Sequence, residues 1–258
     1  MSTSSIGFGG VAASLVLVAA AVALCRRDRL GLERSIAWAT CRAFVQLVAI
    51  GGALGLVLAD GAPPVLSWLW VAAMVVVGAA TVAGRAREVP GLFVLAAVAL
   101  GTAVAASLLV IFGLGIFPLG PRTIVPAAGM LLGNAIAATV LAARRTVAEI
   151  REHRAQIEVR LSLGQTGPES VRPHVGEALR TAIGPQVEQT KIVGIIALPG
   201  TMTGLLLAGV DPLDAVLLQT AVMFLILGSV AITSVVVGRG VARRLLTADH
   251  RLVLPAPA

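Results

Sequence analysis

The chain has 258 residues, of which 57% are hydrophobic, 13% charged and only 3% aromatic, with no tyrosine and a formal net charge of +7. A water-soluble domain carries about 25% charged residues, so this composition, with a mean hydropathy of +0.95, excludes one and makes a bilayer the natural solvent. The scarcity of aromatic rings for bases to stack on argues against a nucleic-acid partner despite the positive charge, and two cysteines make no disulfide framework.

A helix needs about 20 apolar residues to cross the hydrocarbon core. Seven segments qualify, approximately 7–24, 35–58, 65–83, 91–115, 123–143, 191–209 and 213–238. These runs are continuously apolar, not alternating, which excludes β-barrel strands. The first has no positive residue before it and Arg26, Arg27 and Arg29 after it, the reverse of a secretory signal, so it reads as a retained span. In the second, Arg42 and Gln46 are four residues apart and share a helix face. Arg42 either snorkels to the headgroups or faces the bundle as a gate or inner binding group. Trp38 in span 2, and Trp68 and Trp70 in span 3, suit the interfacial belts. Asn134 is mid-span in the fifth segment and Gln219 lies in the outer half of the seventh; each is a candidate for the translocation path or for an interhelical hydrogen bond.

With the end of span 1 in the cytoplasm, every basic residue except Arg42 and Arg122 falls in a cytoplasmic segment, while Asp60, Asp211 and Asp214 fall outside. The positive-inside rule therefore sets the N-terminus out and the C-terminus in. The fold class expected is all-α: a polytopic helical membrane protein with about seven spans and a long helical cytoplasmic hairpin between spans 5 and 6. Its place is the cell inner or plasma membrane.

That hairpin, about 144–190, is the one large loop. From Arg144 to Leu163 the charges alternate at helical spacings, so span 5 is expected to run on into the cytoplasm. Glycines and Pro168 then break the helix; Thr166 or Ser170 would cap a second one, about 168–181, that stops at Gly184 and Pro185. Such a short helix is either a device for docking in a partner's groove or an inert amphipathic hairpin on the headgroups.

Span 6 contains Pro199, Gly200, Thr201, Met202, Thr203 and Gly204 near its middle. A proline there removes a backbone donor, and freed carbonyls within a membrane must face protein or a water-filled cavity. Pro199, Gly200, Met202 and Thr203 are thus candidates for the translocation path, against the plainer reading of a kinked packing helix. Gly51/Gly55, Gly129/Gly133 and Gly200/Gly204 are small-residue steps that read as helix packing or as a dimer seam. Met130, Met202 and Met223 are candidate soft ligands for a metal, Met130 and Met202 foremost, with packing filler as the alternative; no Cys/His cluster in the sequence marks a tight metal site.

No Asp, Glu or His lies at the centre of a span, which argues against an ion-coupled carrier. No phosphate-binding loop is present either. The chain is therefore expected to bind no cofactor of its own and to be driven by ATP and Mg²⁺ on a separate ATPase.

Residues 158–164 (EVRLSLG) and 196–199 (IALP) are similar to the two halves of the cytoplasmic signature of ABC-transporter permeases, separated here by a longer gap. More specifically, residues 42–47 (RAFVQL), 125–135 (VPAAGMLLGNA), 161–164 (LSLG) and 196–212 (IALPGTMTGLLLAGVDP) resemble the FetB-like iron-export permeases, over about 8–245. The resemblance implies a single permease domain over 1–258, a homodimer and an ABC ATPase partner. It implies that Glu158, Leu161, Leu163, Gly164, Thr166 and Pro168 couple that ATPase to transport, and that a metal such as iron is the cargo. Related plant proteins are linked to nucleotide-sugar transport and aluminium tolerance, so another solute is the alternative. From other classes, an ion-coupled carrier using Glu188 and a non-transporting membrane anchor are the rivals.

Overall fold

In a bilayer every backbone N–H and C=O must be satisfied within its own segment, so apolar runs of this length become helices. A computed structural model bears this out, and describes residues 8–57, 63–194, 198–247, 249 and 251–254. The described residues form helices throughout, joined by turns, apart from one isolated antiparallel pairing of Leu246 with Leu252. The chain divides into two compact units, Met1–Ala62 and Pro63–Ala258.

The first unit holds α1 (Phe8–Arg27) and α2 (Glu33–Val57). Between them the chain turns through two left-handed positions, Arg29 at φ 54° and Gly31 at φ 68°.

The second unit holds α3 (Pro64–Arg85), α4 (Leu92–Gly113), α5 (Pro121–Glu152), α6 (Arg154–Ser162), α7 (Gly167–Ile192), α8 (Gly200–Leu207) and α9 (Pro212–Arg244). Helix α5 is central and packs on α3, α4, α7 and α9. Its 32 residues extend about 48 Å at the standard rise. The hydrocarbon core is about 30 Å thick, so α5 projects well beyond it. Helix α9, with 33 residues, does the same.

Both overhang at the arginine-bearing end. Arg244 Nη1 donates to the carbonyl of Pro90 in the α3–α4 turn (2.9 Å), and Arg144 Nε lies 3.4 Å from Glu88 Oε1. The last turn of α9, the α3–α4 turn and the lower part of α5 thus share one end, which is cytoplasmic by the positive-inside rule. Helices α2, α3, α4, α5 and α9 contain stretches long and apolar enough to cross a membrane.

Small residues bring the helices together, the tightest of them outside the spaced pairs. A Cβ on Gly240 would sit 2.6 Å from Leu95 Cδ1, one on Gly238 2.8 Å from Leu179 Cδ2, and one on Gly78 3.2 Å from Leu100 and Ile136. Of the three glycine pairs, only Gly129 is in such contact, 3.3 Å from Met74 Cε; Gly51, Gly55, Gly133, Gly200 and Gly204 face open space.

Two boundary expectations are corrected. Helix α7 does not stop at Gly184 and Pro185 but continues to Ile192, with Ala178, Ala182 and Gln186 buried. A proline inside a helix costs about 3 kcal/mol, and packing of α7 against α5 and α9 offsets it. Nor is the expected sixth span, 191–209, one helix. Val193 is extended (φ −64°, ψ 136°) and Gly194 is left-handed (φ 86°). Pro199 then stands as the extended N-cap of the eight-residue α8. Residues 195–197, which belong to the second half of the signature, lie outside the described residues.

Candidate functional site

The hairpin is built on a continuous core. Ile150 on α5, Ile157 on α6, and Val171 and Val175 on α7 are all buried. Leu161 packs against the same cluster. Glu158 pairs with Arg154 at 2.7 Å on the outer surface. The turn itself is formed by Leu163 and Gly164; Gly164 adopts φ 87°, a conformation that glycine reaches without a Cβ penalty.

Thr166 caps α7. Its backbone N–H and hydroxyl both donate to Glu169 Oε2, at 3.0 and 2.7 Å, completing a capping box. The two bonds hold the Glu169 carboxyl below its usual pKa. Pro168 occupies the first turn, where its missing N–H costs nothing. The other proposed cap, Ser170, is buried, and its hydroxyl donates to the carbonyl of Gly167 at 2.8 Å.

At the tip Leu163 is 77% exposed. A cleft of about 710 Å³ lies between α7 and the end of α9. Arg172, Arg180, Arg239 and Arg243 line it over a floor that includes Val175 and Leu179.

At the opposite end, a largely apolar cavity of about 200 Å³ lies among α4, α5, α8 and α9. Met130, Thr123, Arg122 and Thr201 supply its polar or polarisable lining. Thr201 of α8 donates to Met130 Sδ at 3.7 Å, tying the short helix to α5. Helix α8 has no fully buried residue: Gly200 and Thr203 are exposed, Pro199 and Met202 half-buried. The Thr203 hydroxyl turns back to the carbonyl of Pro199 at 3.2 Å.

Of the polar residues read as membrane-embedded, Arg42 and Gln46 belong to the first unit and Asn134 and Gln219 to the second. Arg42 and Gln46 lie together on an exposed stretch of α2, in the first unit. Asn134, half-buried, spends its amide on the Met130 carbonyl within its own helix, at 2.8 Å. Gln219 is 4% exposed, and its Oε1 meets no donor. Met130, Asn134 and Thr201 are thus linked, while Gln219 stands apart on α9.

One grouping escaped the sequence reading. His153, the residue between α5 and α6, stacks on His174 of α7 with ring centroids 4.5 Å apart, and Glu149 lies beside them. The i, i+4 spacing of Glu149 and His153 is a legible signal; the approach of His174, 21 positions further on, depends on how the hairpin closes.

Known proteins resemble the chain along most of its length. "UPF0014 membrane protein STAR2" of Oryza sativa subsp. japonica is 38% identical over 227 residues, which cover 86% of this chain and 78% of that protein. "UPF0014 membrane protein YjkA" of Bacillus subtilis (strain 168) is 35% identical, covering 86% of this chain and 89% of that one. "Probable iron export permease protein FetB" of Escherichia coli (strain K12) is 29% identical over 98% of both. No solved structure matches. The family model described as "Uncharacterised protein family (UPF0014)" matches residues 8–246, and with the apolar helices described above the chain is a multi-pass membrane protein belonging to that family.

Proposed function

We propose that this chain is the membrane-spanning subunit of an ATP-driven exporter, acting as a homodimer with a separate ABC ATPase that holds the ATP and Mg²⁺. A metal ion such as iron is the cargo. The chain performs no catalysis of its own.

The observation that carries this reading is the hairpin. Helix α5 leaves the apolar zone without interruption, and α6 and α7 close on a shared core that positions Leu163 at the tip. A rigid lever of this kind suits the transmission of movement from a partner to the helices in the lipid, because packed helices shift as units. The same stretch carries Glu158, Leu161, Leu163, Gly164, Thr166 and Pro168, the residues assigned to ATPase coupling. Metal as cargo is supported by the likeness to a relative named as an iron export permease. In this reading the broken segment at Pro199–Thr203, with Met130 and Asn134 across from it, lies on the path.

The test is co-purification with the cognate ATPase. Leu163→Asp removes the exposed anchor without touching the buried base, so it is expected to reduce ATPase recovery at least tenfold while membrane insertion and melting temperature stay unchanged. Undiminished recovery would overturn the assignment of the hairpin. Transport assays with iron and with nucleotide sugars then decide the cargo.

A further inference from the structure

Of the three histidines in the chain, two meet at the base of the hairpin, together with a glutamate. Glu149 lies in the last turns of α5, His153 interrupts the helix before α6, and His174 comes from α7. One ligand atom from each lies within 4.8 Å of the other two. We propose that Glu149, His153 and His174 form a binding site for a divalent first-row transition ion, bridging α5 and α7 on the cytoplasmic side.

Four observations support it. Two imidazoles and one carboxylate are a donor set that borderline divalent ions accept, with positions left open for water or another ligand. Bonds of about 2.0–2.2 Å place such donors roughly 3.5 Å apart, so to take up the ion the side chains close by about an ångström and the two rings, stacked at 23°, turn until their lone pairs converge. His153 is held through its Nδ1, which lies 3.0 Å from the carbonyl of Glu149 and 3.5 Å from its Oε2; with the proton on Nδ1, the lone pair is on Nε2. A backbone carbonyl commonly sets a metal-bound histidine's tautomer in this way.

His174 supplies the independent sign of a missing partner. It is 8% exposed, and its Nε2 meets no hydrogen-bond partner. Buried polar atoms in native structures are nearly always satisfied, and a metal ion would satisfy this one. Burial first, then His153 and Arg160, lower the His174 pKa, against an opposing contribution from Glu149. The positive charge of Arg160 opposes a second cation, and the Glu149 carboxylate offsets it. Glu149 and His153 are half-buried, so the site is open to the aqueous side.

The site stands on these contacts alone and does not depend on the transport reading: it predicts binding by the permease without an ATPase. The probe is Co²⁺, added to the full-length, tag-free, chelator-stripped protein in detergent. One ion per chain is expected, with visible d–d bands of a low-coordinate centre that Zn²⁺ bleaches. His153→Ala and Glu149→Gln should each weaken Co²⁺ binding about tenfold or more, and His174→Gln should abolish it. Because His174 is buried, His153→Ala at its half-buried position keeps the test decisive if the His174 variant fails to fold. Cys25→Ser with Cys41→Ser should leave the bands unchanged. Absence of the bands, or parental affinity in the His153 and Glu149 variants, would overturn the site and leave a stacked histidine pair.

Discussion

Gln219 holds a side-chain carbonyl in the interior with no donor facing it. Leaving such a group unsatisfied costs about 1–3 kcal/mol, so its persistence needs a reason other than stability. Gln219→Leu is expected to maintain or raise the melting temperature while transport falls; a lower melting temperature with intact transport would mark it as structural. Asn134 differs, since its amide already bonds the Met130 carbonyl, and it owes its place to local satisfaction. At the water-facing end, Glu169 gives a pH dependence of known sign. Its folded pKa lies below the ordinary carboxylate value, so its contribution is present above that value and is lost as pH falls through the lowered one. Hydrogen exchange of the amides at 167–170 should stay protected at neutral pH and become fast in acid, after correction for the intrinsic rate. Protection that persists at a pH well below the carboxylate range would show that the capping box is not what holds the first turn.

Among the elements, the apolar runs were legible because only a helix satisfies the backbone in lipid, and the start of α7 was legible as one of two caps, Thr166 or Ser170; the spacing of Thr166 and Glu169, which forms a capping box, is the signal that separates them. The course of α7 through Pro185 was not legible. Local propensity counts the lost donor, whereas the burial of Ala178, Ala182 and Gln186 depends on neighbours far away in sequence. The split at Pro199 was half legible: the proline was noticed, but as a kink within a helix and not as the N-cap of a separate one. Close helix approach was legible in part: of the spaced glycines Gly129 meets Met74, while the tighter approaches at Gly238 and Gly240 lie outside the pairs, since glycine spacing marks where a backbone can come near and not where another does. Gly240→Val should therefore force α4 away from α9 through Leu95, at a cost of about 1–3 kcal/mol, read as a drop in melting temperature. Gly133→Ala, with open space around it, should be neutral or gain up to about 1 kcal/mol of helix propensity. Equal effects at the two positions would contradict this packing.

The apolar segments hold no titratable group at mid-membrane that would bind and release a coupling ion, and the sequence has no loop to cradle ATP phosphates. In the proposed reading, movement of a solute against a gradient is driven by another protein, and the long α5–α7 hairpin is the element that reaches towards one. The most direct test is solute flux in proteoliposomes containing the chain, with and without its ATPase and hydrolysable ATP. The account predicts flux only when both are present, and none with Leu163→Asp. Concentrative uptake or release by the isolated chain, in the absence of nucleotide, would contradict it.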